Sequence, residues 1–331
     1  MESEFKELGF TKHFYAKEMR SIAGQFTQNN RCGIYILHFE NEEYYVGLAT
    51  DVVKRYAQHR QNHKDICYIS FKEVVKSKLP AVEKETVYSL EDLKKSLRNI
   101  NIVSTIIGET DLDLIVSSEE QQDWVSKEIT LKDLESKRFD YPVLRQKYQK
   151  KLISISKNSF YEEISIYLRA YTLMTIPYPK RTEYSFWSVS CLPSTNSENL
   201  VRTNIHWQET FVISRHKLNE NIPHSPDNTY LDILIWVSKS VLEKHNLFEL
   251  LNNKFSTIEF VNFNHQSGGQ DQQCLAIEGI EFLDFLFTDG VIEAARTFNL
   301  RLMRKGGCTW NRYHCFGLAD VALETDDIPT C

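Results

Sequence analysis

Residues 33–40, Gly-Ile-Tyr-Ile-Leu-His-Phe-Glu, form a β-branched and aromatic run, and beyond the polar stretch Glu40–Glu43 a second run begins at Tyr44-Tyr-Val46. Two such runs, separated only by a few polar residues, are constrained to pair as strand, tight turn and strand. Antiparallel pairing puts Tyr35 and Tyr45 on neighbouring strands, within reach of one site. From Asp51 the apolar period lengthens: Val52, Val53, Tyr56 and His59 fit a helix with Thr50 or Asp51 as its N-cap. On that helix Arg55 and His59 are four residues apart and share a face. A third strand is expected at 67–71, and a second helix over 79–97, with Pro80 suited to its first turn.

The residue types gathered here can do acid–base and electrostatic work. One group can take a proton from water, a cation can offset developing negative charge, and a carboxylate can hold a metal ion. Tyrosine, histidine, arginine and glutamate cover these roles, and Glu83 lies on the second helix.

In order and spacing, Gly33-Ile34-Tyr35, Tyr45-Val46-Gly47, Arg55, His59 and Glu83 resemble the active site of the GIY-YIG nuclease superfamily. The resemblance covers residues 31–108. It implies a small α+β module with a three-stranded antiparallel sheet flanked by helices, and a metal-dependent endonuclease with nucleic acid, DNA foremost, as partner. It further implies that Tyr35 is the general base or water-orienting group, that Tyr45 and His59 support it, and that Arg55 clamps the phosphate. Glu83 would be the ligand of a single Mg²⁺ or Mn²⁺ ion, and is preferred to Glu85 because Val82 and Val87 then supply the flanking apolar positions. Two departures stand out. Leu48 follows Gly47 where some members carry a lysine, so any role of that lysine is either absent or filled by Lys54 or another cation, and the family's downstream asparagine falls on Asn99 or Asn101. The competing reading is a GIY-YIG-fold module that binds nucleic acid or protein without cutting.

Residues 1–30 read as a lead segment, 109–157 as a charged helical linker broken near Pro142, and 158–331 as a larger mixed α+β domain. In the linker, the basic cluster Arg145 to Lys151 reads as a solvated face more than as a contact to a nucleic-acid backbone. In the C-terminal domain YSFWSVSCL, TFVISRH, YLDILIWVS, TIEFVNF and CLAIEGIEFLDFLF carry strand-type residues, with no catalytic motif among them. Cys308, His314 and Cys315 lie close in sequence, but Cys-x5-His-Cys is not a zinc spacing, and packing is the expected role.

Charge is distributed unevenly within the net −6. Residues 31–100 hold 12 basic and 10 acidic residues, whereas 161–331 hold 14 and 21. Because phosphate contacts by Lys and Arg dominate nucleic-acid affinity, the positive segment is the expected backbone-binding surface. The acidic domain is expected to serve target recognition or regulation through a protein partner or effector, restriction or defence against foreign DNA being one such setting. The chain lacks a run of 18 uncharged apolar residues and a secretory start, and its seven scattered cysteines suit reduced thiols; a cytoplasmic protein without membrane contact is expected.

Overall fold

The computed structural model describes residues 2–126, 136–138, 141–217 and 229–325. The chain divides into two compact α+β units, Met1–Gly108 and Glu109–Cys331.

In the first unit a five-stranded sheet runs β1 (Lys12–Tyr15), β4 (Ile66–Glu73), β2 (Gly33–Phe39), β3 (Glu43–Ala49) and β5 (Ser96–Leu97), in that spatial order. Only the β3–β5 pairing is parallel. The three expected strands form its middle. Helices α1 (Glu2–Glu7), α2 (Val52–Asn62) and α3 (Leu79–Asp92) complete the unit.

Strand β2 is buried along its whole length because the sheet is covered on both faces. Ile34 and Ile36 join Val46, Leu79, Val87 and Leu90 in one core, while Tyr35 and Leu37 join Val52, Tyr56, Ile69 and Phe71 in the other. The period of two distributes successive side chains between two apolar layers, so the strand reads as a continuous hydrophobic run. At the start of α2, Asp51 accepts from the Val53 and Lys54 amides at 3.1 and 3.2 Å, which fixes the cap at Asp51. Helix α3 ends earlier than its apolar period suggests. Lys94 takes a left-handed conformation (φ 57°) and the Lys95 amide folds back onto the Leu90 carbonyl at 2.9 Å, releasing Ser96–Leu97 to the sheet edge.

Residues 1–30 are not a lead outside this unit. Phe5 and Phe10 belong to one core, Ala16, Ile22 and Phe26 to the other, and Lys12–Tyr15 pairs with β4. Their apolar residues are too few and too irregularly spaced to show a period, yet they close both layers.

The second unit holds a six-stranded antiparallel sheet in the order β10 (Glu259–Val261), β11 (Gln273–Glu278), β9 (Thr229–Val237), β8 (Gln208–Lys217), β7 (Asn199–Ile205), β6 (Trp187–Cys191). Helices α4 (Ser118–Ser126), α5 (Tyr161–Thr175), α6 (Gly279–Leu286), α7 (Val291–Arg304) and α8 (Phe316–Ala322) belong to it. Its core includes Tyr171 of α5 stacked on Phe211 of β8, ring centroids 4.2 Å apart.

Three expectations are corrected here. The segment 109–157 is not a linker: Leu112, Val116 and Ile155 are buried in the second unit's core, Arg181 pairs with Glu120 at 2.8 Å, and Arg296 donates to the Trp124 carbonyl at 3.0 Å. Its charged residues masked an apolar set spaced widely along the chain. Helix α6 replaces the second half of the strand expected over 274–287, because Phe282, Phe285 and Leu286 recur at helical spacing and bury one face. Strand β7 was not expected, since Asn199, Arg202 and Asn204 disguise the inward series Val201, Thr203, Ile205. The Arg145–Lys151 cluster is also less free than expected. Arg145 pairs with Asp320 at 2.8 Å, and the Lys147 and Lys151 ammonium groups donate to the Arg312 and Leu192 carbonyls at 2.7 and 2.6 Å. Of the sequence cluster near 308–315, Cys308, His314 and Cys315 are all buried, and His314 spans the Val189 amide and the Glu183 carboxylate.

The first unit therefore needs its first thirty residues. A fragment 1–108 should melt cooperatively in thermal denaturation monitored by circular dichroism, whereas 31–108, stripped of Phe5, Phe10, Ile22 and Phe26, should not; loss of each buried phenylalanine alone costs about 3–5 kcal/mol. A cooperative melt of 31–108 at the same temperature would contradict this account.

Candidate active site

Tyr35 and Tyr45 project from the same face of β2 and β3, in the register that pairs Tyr35 with Gly47 and Leu37 with Tyr45. Their rings lie 6.3 Å apart between centroids. The Tyr35 ring lies over Gly47, so that a Cβ at position 47 would collide with the tyrosine ring and hydroxyl. Glycine here is a requirement of close approach. Gly33 meets a similar one, since a Cβ there would strike the Lys72 carbonyl and the Phe71 ring.

Helix α2 supplies the groups that hold the Tyr35 hydroxyl. His59 Nε2 lies 2.8 Å from it and Arg55 Nε donates to it at 3.3 Å. Arg55 is steadied in turn by Gln58, whose side-chain oxygen accepts from Nη1 at 3.0 Å. Tyr45 packs its ring against His59, centroids 4.9 Å apart. From the other side Glu83 of α3 accepts the Leu48 amide at 3.1 Å through Oε1. Among the described residues, Oε2 has no hydrogen-bond partner.

These groups line an open cleft of about 410 Å³ together with Thr50, Asp51 and Lys54. Of the five residues expected from the sequence, Tyr35, Tyr45, Arg55 and Glu83 face the cleft, and His59 stands behind Tyr35. Lys54 lines it too, whereas Glu85 is exposed and does not. Asn99 has a structural part: its amide brackets Val46, accepting from the backbone N–H at 2.9 Å and donating to the carbonyl at 2.8 Å. Gln58 was not expected, and its only signal was its place one turn after Arg55 and Lys54 on the same helix.

Burial sets the electrostatics. It raises the Tyr35 hydroxyl above its ordinary pKa, an effect reinforced by Tyr45 and opposed by Arg55. It holds the His59 imidazole down at about 4, with Arg55 and His63 adding to the shift. It also raises the Glu83 carboxyl, against the pull of the Leu48 amide and Arg55. Arg55 itself is pushed up by its hydrogen bond to Tyr35 and stays charged. At neutral pH the tyrosine is protonated and the histidine neutral.

Residues 31–96 match the family model described as the GIY-YIG catalytic domain. This match supports a nuclease-type function for the first unit. No curated protein and no solved structure matches the chain.

GIY-YIG nucleases generally use divalent metal ions, and the donors present fit one hard cation. Glu83 is half-buried, keeps Oε2 free of hydrogen bonds among the described residues, and is an anion that burial alone disfavours; a cation beside it would reverse that penalty. No cluster of three or more His, Cys, Asp or Glu side chains that could hold a metal occurs among the described residues, so water and substrate oxygens would complete the shell. No described helix is long and apolar enough to cross a membrane.

The depressed histidine has a measurable signature. Titrated by NMR, the His59 ring should show a midpoint of about 4 instead of 6.5, and Arg55→Gln should move it upward. Between these pH values the unfolded imidazole is protonated and the folded one is not, so His59 works against folding progressively as pH falls from 6.5 towards 4. A midpoint at 6.5 would show that the ring is neither buried nor under the influence of Arg55.

Proposed function

We propose that the protein is a metal-dependent endonuclease that hydrolyses phosphodiester bonds in nucleic acid, with DNA as the expected substrate and Mg²⁺ or Mn²⁺ as the ion on Glu83. The observation that carries this reading is the Tyr35 hydroxyl held between Arg55 and His59 on one side of a cleft that bears Glu83 on the other.

The raised pKa of Tyr35 argues against a standing phenolate, and the low pKa of His59 keeps its imidazole unprotonated, with Nε2 open to the tyrosine proton at 2.8 Å. Arg55 Nε donates to the tyrosine oxygen, leaving the hydroxyl proton for His59 Nε2 with the histidine in its Nδ1–H form. As the water oxygen bonds to phosphorus, its proton passes to Tyr35 while the tyrosine's own proton passes to His59, and the bond from phosphorus to the leaving oxygen breaks. The leaving oxygen then takes a proton from solvent. Arg55, held at the cleft by Gln58, Tyr35 and Tyr45, pairs with the non-bridging oxygens, and Lys54 adds a second positive charge at the rim. A divalent ion held by Glu83 would supply Lewis-acid stabilisation of the developing negative charge.

Two substitutions separate these roles. Tyr35→Phe keeps the ring over Gly47 and removes the proton acceptor, so the cleavage rate should fall by roughly 10²–10⁴-fold with little change in melting temperature. Cleavage at the wild-type rate would sink the assignment. Glu83→Ala should abolish cutting of labelled duplex, single-stranded DNA and RNA alike, as should chelator with the wild-type chain. Full activity of either would remove the metal mechanism. The three substrates side by side test the choice of DNA.

A further inference from the structure

The second unit carries a cavity of about 490 Å³ with no part in the chemistry above. It lies on the face of the six-stranded sheet opposite the core. Register places Arg202, Val212 and Leu234 side by side on that face, while Val201, Ile213 and Ile233, one step along, point into the core.

Two β-bulges shape this surface. Between Asn199 and Val201 the extra residue is Leu200, and between Phe211 and Glu209 it is Thr210. Both extra residues turn inward: Leu200 enters the core and the Thr210 hydroxyl accepts from the Tyr171 hydroxyl at 2.9 Å. Strict alternation would send Asn199 and Glu209 inward. The bulges bring both to the cavity face instead, which is how bulges re-aim side chains beside functional sites.

At the rim stand two tryptophans. Trp207 lies in the two-residue turn joining β7 to β8, where His206 adopts φ 53°, and it is 58% exposed. Trp310, 37% exposed, donates through Nε1 to the Trp207 carbonyl at 3.1 Å, and the Thr309 amide donates to the His206 carbonyl at 3.0 Å. The turn is thus braced with both indoles at the mouth. The protein's other tryptophans, Trp124, Trp187 and Trp236, are buried.

Within the cavity, charge is balanced by Arg202 Nε lying 2.8 Å from Glu209 Oε2. Asn204, though buried, makes no side-chain hydrogen bond among the described residues, and Asn199 commits only its oxygen, to the Ser214 hydroxyl at 2.8 Å. A free carboxamide beside an aromatic rim suits a neutral, planar ligand with a donor and an acceptor on one edge. A paired Arg–Glu does not select for phosphate.

We propose that this cavity binds a nucleobase, stacked on Trp207 and read along its edge by Asn204. The choice of a base over another neutral polar ligand, a saccharide, rests on the nuclease reading of the first unit.

Saturation-transfer NMR on the full-length protein in chelator, with each of the four deoxynucleosides and with glucose and N-acetylglucosamine, tests this without any cleavage step. At least one nucleoside should receive saturation, its base protons more strongly than its sugar protons. Trp207→Ala, at an exposed turn, should keep the melting temperature and weaken that nucleoside roughly 5- to 100-fold, and Asn204→Ala should act in the same direction. Saturation of the saccharides only, of nothing, or equally in the wild type and both variants would overturn the proposal. Nucleoside binding that survives alongside an inability to cut any nucleic acid would overturn the nuclease reading and leave the pocket standing.

Discussion

The site depends on the absence of a side chain at position 47. Because Gly47 has no Cβ, the Tyr35 ring can lie directly over β3, and its hydroxyl then ends where α2 can reach it. Helix α2 arrives at that place because Asp51 caps it one residue after the strand connection and the Val52 amide bonds the Arg31 carbonyl at 2.9 Å, just before β2. Arg55 and His59 follow by helical period. Along the outer edge of β3 the Val46 backbone is clamped to Asn99, so the strand carrying Tyr45 and Gly47 is held on the side away from β2. The two tyrosines, the glycine and the helix pair are therefore one packing solution, and the chemistry inherits its distances from it.

Burial then does to the functional groups what no single neighbour does. It raises Tyr35 and Glu83 and lowers His59, in each case against the charged form. Arg55, exposed on α2, is the principal fixed charge. A cleft arranged in this way sets Arg55, with Lys54 at its rim, beside three groups kept closer to neutral than they would be in water. Such a site gains most when an anion and a metal enter together, because each supplies the counter-charge that the protein withholds.

What could be read from the sequence follows from how local the signal was. The hairpin, the Asp51 cap and the Arg55–His59 spacing are all set within one or two turns of chain, and the structure shows them close to where periodicity places them. The contributions of residues 1–30 could not be read in that way, since Phe5, Phe10 and Phe26 find their layers only after β1 pairs with a strand more than fifty residues away. Leu112 and Val116 were hidden for the same reason, in a stretch whose charges dominate its composition. Strand β7 failed on a different ground. The bulge at Leu200 breaks its period of two and turns Asn199 outward, and with Arg202 and Asn204 on the same face the segment looks like loop.

Charge placement separates the two units physically. Residues 31–100 carry the chain's positive segment, and Lys54 and Arg55 from it stand at the cleft. In the second unit Arg145, Lys147 and Lys151 are occupied by Asp320 and by backbone carbonyls, and Arg202 is occupied by Glu209. A polyanion gains little from a surface whose cations are already paired, because few counterions would be released on contact. The second unit is then suited to the uncharged parts of a ligand, and its sheet face offers what such parts need: aromatic surface at the mouth and an uncommitted amide within.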